Sequence, residues 1–503
     1  MSTDSATGSP TDHRLDPRTV PASALTVAGT LLAAGVPTTI GLRIGDIAWE
    51  WVLLWVLGGT LLLSAAAALV EWIRWRCSSF RIDVDRVEYT FALLGTKRTS
   101  LPRDRIRTVE ITADPAQRLL NVADLRIGTG DQHGDLTLRS VSRQYAETLR
   151  LQLLHRPGAE VPGELPVIGE LASFHPSWLR YAPMSFWTPV LAAGAFGVLM
   201  QVAGWFNANG AVLQWIQDRF AGVPLVWELL ALAVVGLLVG AIGNLAIFIE
   251  GWFNYTLERE PDGALRIRRG LLVHRSTSFE ENRVRGVALV EPLGIRAVGA
   301  ARLDVLATGL RRTDDQRTAE PDTLMPAAPR AQMRQVAAAV LGTAVPDRLT
   351  RHPAAARRRR FVRAAAAATS VTLLCAAFAV LVIPALWWAA AAAALLLGGF
   401  AFWSAGNNYA ALGHRVTDRH LVVRSGSIHR ATEVLGRTGL LGWNLRQSPL
   451  QRRSGLVTML ATTAAGDGAI RLPDAGVDQA VGLLLETAPE WRRLLVEQPP
   501  PSN

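Results

Sequence analysis

The chain is poor in the residues on which disulfide-rich proteins and most soluble enzymes depend. Its 503 residues include two cysteines, Cys77 and Cys375, which excludes a disulfide framework and a cysteine-rich metal or iron–sulfur site. Only 19% of the residues are charged, against about 25% in ordinary soluble proteins. Half of the residues are apolar and the mean hydropathy is +0.21. This balance predicts a membrane protein.

Motifs of known catalytic sites are also missing. The sequence has no His-Glu-x-x-His, no Gly-x-Ser-x-Gly, no Walker loop and no dinucleotide-binding glycine pattern. His414, His420 and His429 are spaced along predicted strands in a way more typical of surface histidines than of a metal site. Cys77 follows a predicted span, either as a half-buried thiol or as a palmitoylation site. We expect no enzyme, no metal and no cofactor.

Six apolar segments are long enough to cross a bilayer, which takes roughly 20 helical residues. They form three pairs with short connections, and a long polar region follows each pair. The segments are Pro21–Leu42, Trp51–Val70, Phe186–Trp205, Leu225–Ile249, Val362–Val382 and Ala385–Trp403. Their interiors hold almost no charge, and Asn244 is the most polar central residue of the fourth. Because a transport pathway needs ionisable groups inside the membrane, this pattern does not favour a transporter.

The placement of arginine predicts the orientation. The short connections carry only Arg43 and Arg219, each with an acid nearby, whereas the polar regions hold nearly all the other arginines. Both chain ends and all three polar regions are therefore predicted to be cytoplasmic. We expect a multi-pass protein of the plasma membrane with disordered tails at residues 1–20 and 496–503.

The three polar regions repeat one pattern. Each opens with alternating apolar and polar residues around a turn, which is typical of a β-hairpin. A short strand then leads into a basic step, a proline-led turn, another strand and a helical run. The basic steps contain Arg105, Arg283 and Arg437, and the turns begin at Pro115, Pro292 and Pro449. The chain is thus predicted to be one unit written three times, a helical hairpin followed by a β-rich domain.

This repeat sets the predicted domain boundaries. The hairpins occupy 21–70, 186–249 and 362–403, and the β-rich domains occupy 71–160, 250–345 and 404–495. Thr313–Arg330, rich in acids and prolines, is predicted to be a flexible insertion in the second domain. Asp474 is predicted to be the N-cap of the last helix.

The third copy resembles the bacterial pleckstrin-homology-like domains of the YdbT-type multi-pass membrane proteins. The runs that carry the resemblance are Gln447-Ser448-Pro449-Leu450-Gln451-Arg452-Arg453-Ser454-Gly455-Leu456, Pro115-Ala116-Gln117-Arg118 and Pro292-Leu293-Gly294-Ile295-Arg296. The first copy has Asn121 at the glycine position and the second lacks the glutamine, so the copies need not bind the same partner. The resemblance implies an α+β membrane protein in which six transmembrane helices form three hairpins. Each hairpin precedes a domain of about seven antiparallel strands in two sheets, closed by a C-terminal helix, and such domains bind lipids or proteins more often than they catalyse.

Two groups of arginines are candidate contacts. Arg357, Arg358, Arg359 and Arg360 end a polar region beside a span, where they either attract anionic phospholipid, by about 1 kcal/mol per charge, or only fix the topology. Arg452 and Arg453, with Gln451, Arg105, Arg283 and Arg437, form the other group. These residues bind a lipid phosphate or an acidic protein partner, or they lie in a solvated loop. The arginines share their regions with many acids and lack interleaved aromatic residues, which excludes nucleic acid as a partner.

The sequence therefore predicts a membrane-anchored binding or scaffolding protein. Three tethered domains would hold weak sites near the bilayer at a high effective concentration. The predicted partners are the lipid bilayer, another membrane or cytoplasmic protein, and anionic phospholipid. Two alternatives stay open: a regulatory subunit of a transport or export system, and a membrane enzyme of unrecognised type.

Overall fold

A computed structural model describes residues 13–44, 48–83, 85–93, 95–106, 108–129, 135–154, 169–205, 208–261, 263–308, 322–381 and 387–488. The chain divides into two compact units, Met1–Glu281 and Asn282–Asn503. Each unit contains long apolar helices and antiparallel sheets, and each is described by itself.

The helices fall into a long apolar class and a short class. The long helices are α1 Thr19–Ile44, α2 Trp49–Cys77, α5 Trp187–Trp205, α7 Leu225–Trp252, α10 Ala354–Leu381 and α11 Trp387–Ala411. The short helices are α3 Pro115–Leu119, α4 Arg143–Leu154, α6 Asn209–Arg219, α8 Leu293–Ala297, α9 Arg330–Leu341, α12 Pro449–Arg453 and α13 Val477–Thr487. Helix α6 lies in the second connection, which the sequence analysis treated only as a link between spans.

The long helices carry the membrane-facing surface of the protein. In the described part of the chain, four helices are long and apolar enough to cross a membrane: Trp49–Cys77, Trp187–Trp205, Leu225–Trp252 and Ala354–Val380. The long helices contact one another in the pairs α1–α2, α5–α7 and α10–α11. Their outer faces leave leucines such as Leu61 and Leu62 largely exposed. Because soluble proteins seldom leave so large an apolar surface facing water, the predicted membrane protein is confirmed.

The first unit contains two sheets. The strands are β1 His13–Arg14, β2 Ser78–Ile82, β3 Arg86–Ala92, β4 Thr96–Pro102, β5 Thr108–Ala113, β6 Val122–Gly128, β7 Leu136–Ser142, β8 Gly169–Ser173, β9 Thr256–Arg259, β10 Leu265–Arg269 and β11 His274–Phe279. One sheet has the order β1-β2-β3-β4, and the other has the order β7-β6-β5-β11-β10-β9-β8. Along β5, Val109, Ile111 and Ala113 alternate inward, as a half-buried strand requires.

The second unit repeats this arrangement. Its strands are β12 Val284–Pro292, β13 Ala300–Ala307, β14 Thr323–Pro329, β15 Gly413–Val416, β16 His420–Ser425, β17 His429–Gly436, β18 Leu440–Arg446, β19 Leu456–Thr463 and β20 Ala469–Gly476. They form sheets of order β14-β13-β12-β17-β16-β15 and β18-β19-β20. Residues Thr323–Pro329 of the predicted flexible insertion are thus strand β14, and Arg330 begins α9. Residues 313–321 lie outside the described residues.

Each copy begins with a strand that precedes its helix pair, which the sequence analysis missed. Strand β1 precedes α1 and pairs with β2, and β8 precedes α5 and pairs with β9. In the third copy Thr350, before α10, forms an isolated bridge with His414 of β15. The helix pair is therefore inserted between the first and second strands of the domain. The segment 1–20, predicted to be a disordered tail, thus contains strand β1 at His13–Arg14. Residues 1–12 and 496–503 lie outside the described residues.

Neighbouring copies share sheets. Strand β5 of the first copy pairs antiparallel with β11 of the second, and β12 of the second copy pairs antiparallel with β17 of the third. Each of these two pairings, with the side chains around it, is called a joint below. The strands around β5 of the first copy therefore form one sheet with those around β11 of the second copy. The strands around β12 and β17 do the same for the second and third copies. Within the described residues, β4 and β18, which are the counterparts of the joint-forming strands, each end a sheet without a partner strand from another copy.

Candidate functional site

Three short helices, α3, α8 and α12, occupy the same place in the three copies. They follow the equivalent strands β5, β12 and β18. Each ends in a left-handed residue, Asn121, Gly299 or Gly455, with φ of 57°, 73° and 62°. Glycine and asparagine tolerate this conformation best, which explains the residue types at this position. The proline-led turns of the sequence are therefore short helices. Their penultimate residues, Arg118, Arg296 and Arg452, occupy equivalent positions in the three copies.

In the third copy a buried glutamine fixes this helix. Ser448 is the N-cap and forms a capping box, in which the Gln451 main-chain N–H donates to Ser448 Oγ at 3.3 Å. The Ser448 N–H donates in return to Gln451 Oε1 at 2.9 Å. The side-chain amide of Gln451 then donates to Thr458 Oγ1 at 2.8 Å and to Asp474 Oδ1 at 2.9 Å. Gln451 is thus an internal support of the helix rather than a surface contact.

Asp474 links this helix to the long helix α10. Asp474 is 2% exposed; its carboxylate accepts a hydrogen bond from the Arg359 guanidinium and forms an ion pair with Arg360, whose Nη2 lies 3.2 Å from Asp474 Oδ2. A buried carboxylate requires such partners because its transfer from water is costly. Asp474 lies within β20 with a φ of 58°, and Gly476 is the N-cap of α13, so its predicted capping role is wrong. Gln451, Asp474, Arg359 and Arg360 are called the Asp474 cluster.

Two histidines adjoin the cluster. His352 Nδ1 lies 3.0 Å from the main-chain oxygen of Asp474, and His414 Nδ1 lies 3.4 Å from His352 Nε2. Burial, and then the neighbouring His414, lowers the pKa of His352 to about 4. Burial also lowers the pKa of His414. Both imidazoles are therefore neutral at neutral pH. In the part of the chain that the structure describes, no group of three or more metal-ligating side chains occurs.

The first copy builds the same frame without the arginines. Asp114 and Gln117 form the capping box, and the Gln117 amide donates to Asp124 Oδ1 at 2.9 Å. The Ser140 N–H donates to the same oxygen at 2.7 Å, and Ser140 shares the left-handed conformation of Asp474 with a φ of 49°. Burial raises the pKa of Asp124 despite these hydrogen bonds. The long helix is attached here by Thr26, whose hydroxyl donates to Asp114 Oδ2 at 3.1 Å.

The second copy lacks this support. Pro292 is the N-cap of α8, and buried Ile295 takes the position of the glutamine. No capping box forms, which agrees with the sequence-based expectation that the copies differ. Helix α8 is instead attached to the third copy through the Leu293 N–H, which donates to the Ile428 main-chain oxygen at 2.7 Å, and through Arg296.

The arginine of the short helix contacts the next copy wherever a next copy exists. Arg118 Nη1 donates to the main-chain oxygens of Leu271 at 3.0 Å and Leu272 at 3.3 Å, in the turn between β10 and β11. Arg296 Nη1 donates to the main-chain oxygen of Ser427 at 2.9 Å, in the turn between β16 and β17. Arg452 is exposed. The same position is therefore a domain-contact residue in two copies and is open in the third.

Buried ion pairs strengthen the first joint. Arg150 of α4 is 3% exposed in its side chain and pairs with Glu260 of the second copy at 3.0 Å. Arg266 pairs with Glu147 of α4 at 2.6 Å. Burial by itself would raise the pKa of Glu147, but Arg266 and Arg150 lower it below its usual value. The joint thus combines strand pairing with a charge network in which Arg150, Arg266 and Glu260 are buried and Glu147 is partly exposed.

The other predicted arginines have different surroundings. Arg453, Arg357 and Arg358 are exposed, whereas Arg359 and Arg360 form ion pairs with Asp474. Arg437 Nη2 donates to the Glu486 main-chain oxygen at 2.8 Å. In the first copy, Arg103 makes the equivalent hydrogen bond to the Gln152 main-chain oxygen. Arg437 is therefore the counterpart of Arg103.

The other two basic-step arginines occupy a different position, because each ends its 3-10 helix whereas Arg437 begins its own. Arg105 is exposed, and Arg283 is half-buried. The structure thus separates the three residues that the sequence grouped as one step.

Sequence reasoning missed His352 and the role of Asp474. The paired residues are far apart along the chain, because Arg359 and Asp474 are separated by 115 positions. One signal was available: a glutamine and a polar residue seven positions later, Gln117 with Asp124 and Gln451 with Thr458, recur in the two copies that form the capping box.

These features define a membrane protein built from PH-like domains. The model of the bacterial PH domain family matches residues 28–157 and 363–486, half of the chain, which includes the first and third copies. The chain belongs to the bacterial PH domain family, as the resemblance predicted.

A similar protein from another organism also supports the assignment as a membrane protein. The chain is 20% identical over 265 residues to the UPF0699 transmembrane protein YdbT of Bacillus subtilis (strain 168). The match covers 50% of this chain and 53% of that protein, so it spans about half the length of the relative. No solved structure matches the chain.

Proposed function

We propose that this chain is a multi-pass membrane scaffold whose third PH-like domain binds a protein partner on the face that carries Arg452. In this proposal six helices form three hairpins, with α1 and α11 joining the four helices that meet the length and hydropathy of a span. The domains face the cytoplasm, because arginines are concentrated in them and scarce in the connections. The plasma membrane is the proposed location.

One observation carries the proposal. Arg118 and Arg296 each bind a main-chain carbonyl of a neighbouring PH-like domain, and Arg452 has the same position on an exposed surface. A guanidinium that donates to carbonyls contributes ~2 kcal/mol, which corresponds to about 30-fold in affinity. The third domain therefore presents a face that two other domains of this chain use for binding.

The Asp474 cluster supports this role. It connects α12 through Gln451 and Asp474 to Arg359 and Arg360 of α10, so the binding face is fixed to the membrane helix. A fixed surface loses less conformational entropy when it binds. The proposed mechanism is thus the presentation of a rigid surface at the membrane.

The test is purification of the tagged chain from its native membrane in mild detergent, with mass spectrometry of the proteins and lipids that come with it. Arg452→Ala should lose a stoichiometric protein that the wild type retains. Arg453→Ala is the matched control, because Arg453 is exposed on the same helix while its counterparts Leu119 and Ala297 make no polar contact with the next copy. Equal retention by both variants would contradict the proposal. Loss of an anionic lipid, and of no protein, from Arg452→Ala would assign the face to lipid head groups instead.

A second function, contact with anionic phospholipid, is favoured by Arg357 and Arg358. Both are exposed in the first turns of α10, at the end of an apolar helix. Each would contribute about 1 kcal/mol beside a negatively charged leaflet. Arg357→Ala with Arg358→Ala should reduce the anionic lipid that remains with the purified protein. Arg415→Ala with Arg446→Ala, two exposed arginines of the third domain, is the charge-matched control.

A further inference from the structure

The two joints have the same register. The short 3-10 helices Arg103–Arg105, Glu281–Arg283 and Arg437–Gly439 align the three copies, so that Val109, Val287 and Trp443 are equivalent. In the first joint Val109 is opposite Ser278, and in the second Val287 is opposite Val434. Ser278 and Val434 are also equivalent, and their counterpart in the first copy is Ser100. The chain thus forms one kind of joint twice.

The arginine contact repeats with the same precision. Leu271 and Ser427, whose main-chain oxygens accept from Arg118 and Arg296, are equivalent positions of the turn before the joining strand. Their counterpart in the first copy is Leu93. Strand pairing and arginine contact are independent observations, and both define the same docking geometry.

The two strands at the ends of the array are the unpaired halves of such a joint. Strand β18 is the counterpart of β5 and β12, and β4 is the counterpart of β11 and β17; in the described residues each ends its sheet. Leu445 is 47% exposed, whereas its counterparts Ile111 and Leu289 are 7% and 3% exposed inside joints. On the other edge Ser100 is exposed, whereas Ser278 is fully buried. Both edges therefore expose positions that a joint covers.

We propose that β18 of one chain pairs antiparallel with β4 of a second, identical chain, in the register of the internal joints. Ser100 of one chain is then opposite Trp443 of the other chain, and Thr99 is opposite Asn444. Arg452 donates to the main-chain oxygen of Leu93. This inference rests on the proposed function, because it names the second copy as the protein partner at the Arg452 face.

The charges at the end of this pairing give it a signature. The register places Lys97 opposite Arg446, two exposed cations, at the last pair of the strands. Like charges directly opposite each other weaken an antiparallel pair. The self-pairing is therefore reversible and depends on these two residues in a way that no other partner would reproduce.

The direct test is disulfide cross-linking in native membranes. Chains with Cys77→Ser and Cys375→Ser carry either Thr99→Cys or Asn444→Cys, each with its own tag, and are co-expressed and treated with a mild oxidant. Directly opposite residues of antiparallel strands lie about 4.5–5.5 Å apart at Cα, within disulfide reach. The proposal predicts a dimer that carries both tags. In the out-of-register control, the second chain carries Arg446→Cys in place of Asn444→Cys. The yield of cross-linked dimer should then fall several-fold.

An internal pair shows whether the assay reports joints at all. Glu110 and Thr277 are opposite each other in the first joint and are equivalent to Asn444 and Thr99. Glu110→Cys with Thr277→Cys should form an intramolecular disulfide. If this pair cross-links while the Thr99/Asn444 pair yields no more dimer than the out-of-register control, the proposal is overturned.

A charge-reversal cycle tests the register independently. Lys97→Glu or Arg446→Glu alone should raise the dimer fraction by about two- to fivefold. The two changes together should return it to the wild-type level, because they restore like charges. Failure of this reciprocity overturns the register. If Arg452→Ala still releases a stoichiometric protein other than this chain, the proposed function stands and only the self-pairing fails.

Discussion

Arg118 and Arg452 occupy equivalent positions of their short helices, and both side chains are exposed, yet their contacts differ. Arg118 donates to two main-chain carbonyls of the second copy, whereas Arg452 makes no such contact in the described residues. In the part of the chain that the structure describes, the second copy docks beside Arg118, whereas no copy docks beside Arg452. A residue with a structural role in one copy is therefore available to a partner in another.

The supports below these helices differ in the same two copies. In the first, the buried acid Asp124 receives hydrogen bonds from neutral groups. In the third, Asp474 receives two guanidinium groups from α10. Both domains form a joint with the second copy, but in the third domain the buried acid also connects the short helix to α10.

The largest effect is expected from breaking the closed joint. Glu260→Ala removes the most buried carboxylate partner of the Arg150 guanidinium and leaves it only Glu147 and Ser278 as acceptors, which should cost about 3–5 kcal/mol of local stability. Faster hydrogen–deuterium exchange in β5 and β11 would report this loss. Glu170→Ala, at an exposed acid of the same sheet, should leave exchange unchanged. The open end of the array has no such network, since Val481 and Leu484 replace Glu147 and Arg150 there.

A smaller effect is expected from the same substitution in the two supports. Asp474→Asn keeps the shape and tolerates the left-handed backbone, but it leaves two arginines facing a neutral amide, at a cost of about 3 kcal/mol. Asp124→Asn should cost less than about 1 kcal/mol, because only neutral donors are involved. Exchange of β20 and of β6 measures the two effects. Equal effects would contradict the distinction between the copies.

The smallest effect is a pH dependence of opposite sign in the two domains. The pKa of His352 falls from 6.5 to about 4 on folding, so its contribution to stability is present above about pH 6.5 and is lost as the pH falls toward 4. At pH 5 the loss should be roughly 2 kcal/mol. The pKa of Asp124 is raised, so its contribution is present in acid and is lost as the pH rises.

Domain-specific hydrogen exchange at several pH values, corrected for the intrinsic rate, checks this dependence. Acidification should loosen β15 and β20 but not β6 and β7. His352→Asn should remove the response of the third domain. A parallel response of both domains would contradict the assignment of the effect to His352.

The repeat and its short helices could be predicted because they follow local rules. Alternation predicted the hairpins, and proline with a glycine or asparagine six positions later marked the turns that the structure shows to be α3 and α12. The strands before the helix pairs could not be predicted. Strand β1 has two residues in a polar segment, and only its pairing with β2, across a whole helix pair, makes it a strand.

The site was only partly predictable for a related reason. Arg452 and Gln451 were predicted as one group of contact residues, but the sequence gives no sign that Arg452 is exposed whereas Gln451 is buried, at 4% exposure. Arg359 and Arg360 resembled lipid contacts because they adjoin an apolar run. Their acceptor, Asp474, comes from the last strand of the domain, and only tertiary packing brings it to them.

The most direct test of the central claim is a single-particle cryo-EM reconstruction of the detergent-purified protein, with attention to the β18 edge. The account predicts a further antiparallel strand beside β18, with Arg452 against the turn that leads into that strand. A reconstruction in which the β18 edge and Arg452 face solvent in every particle class would contradict it.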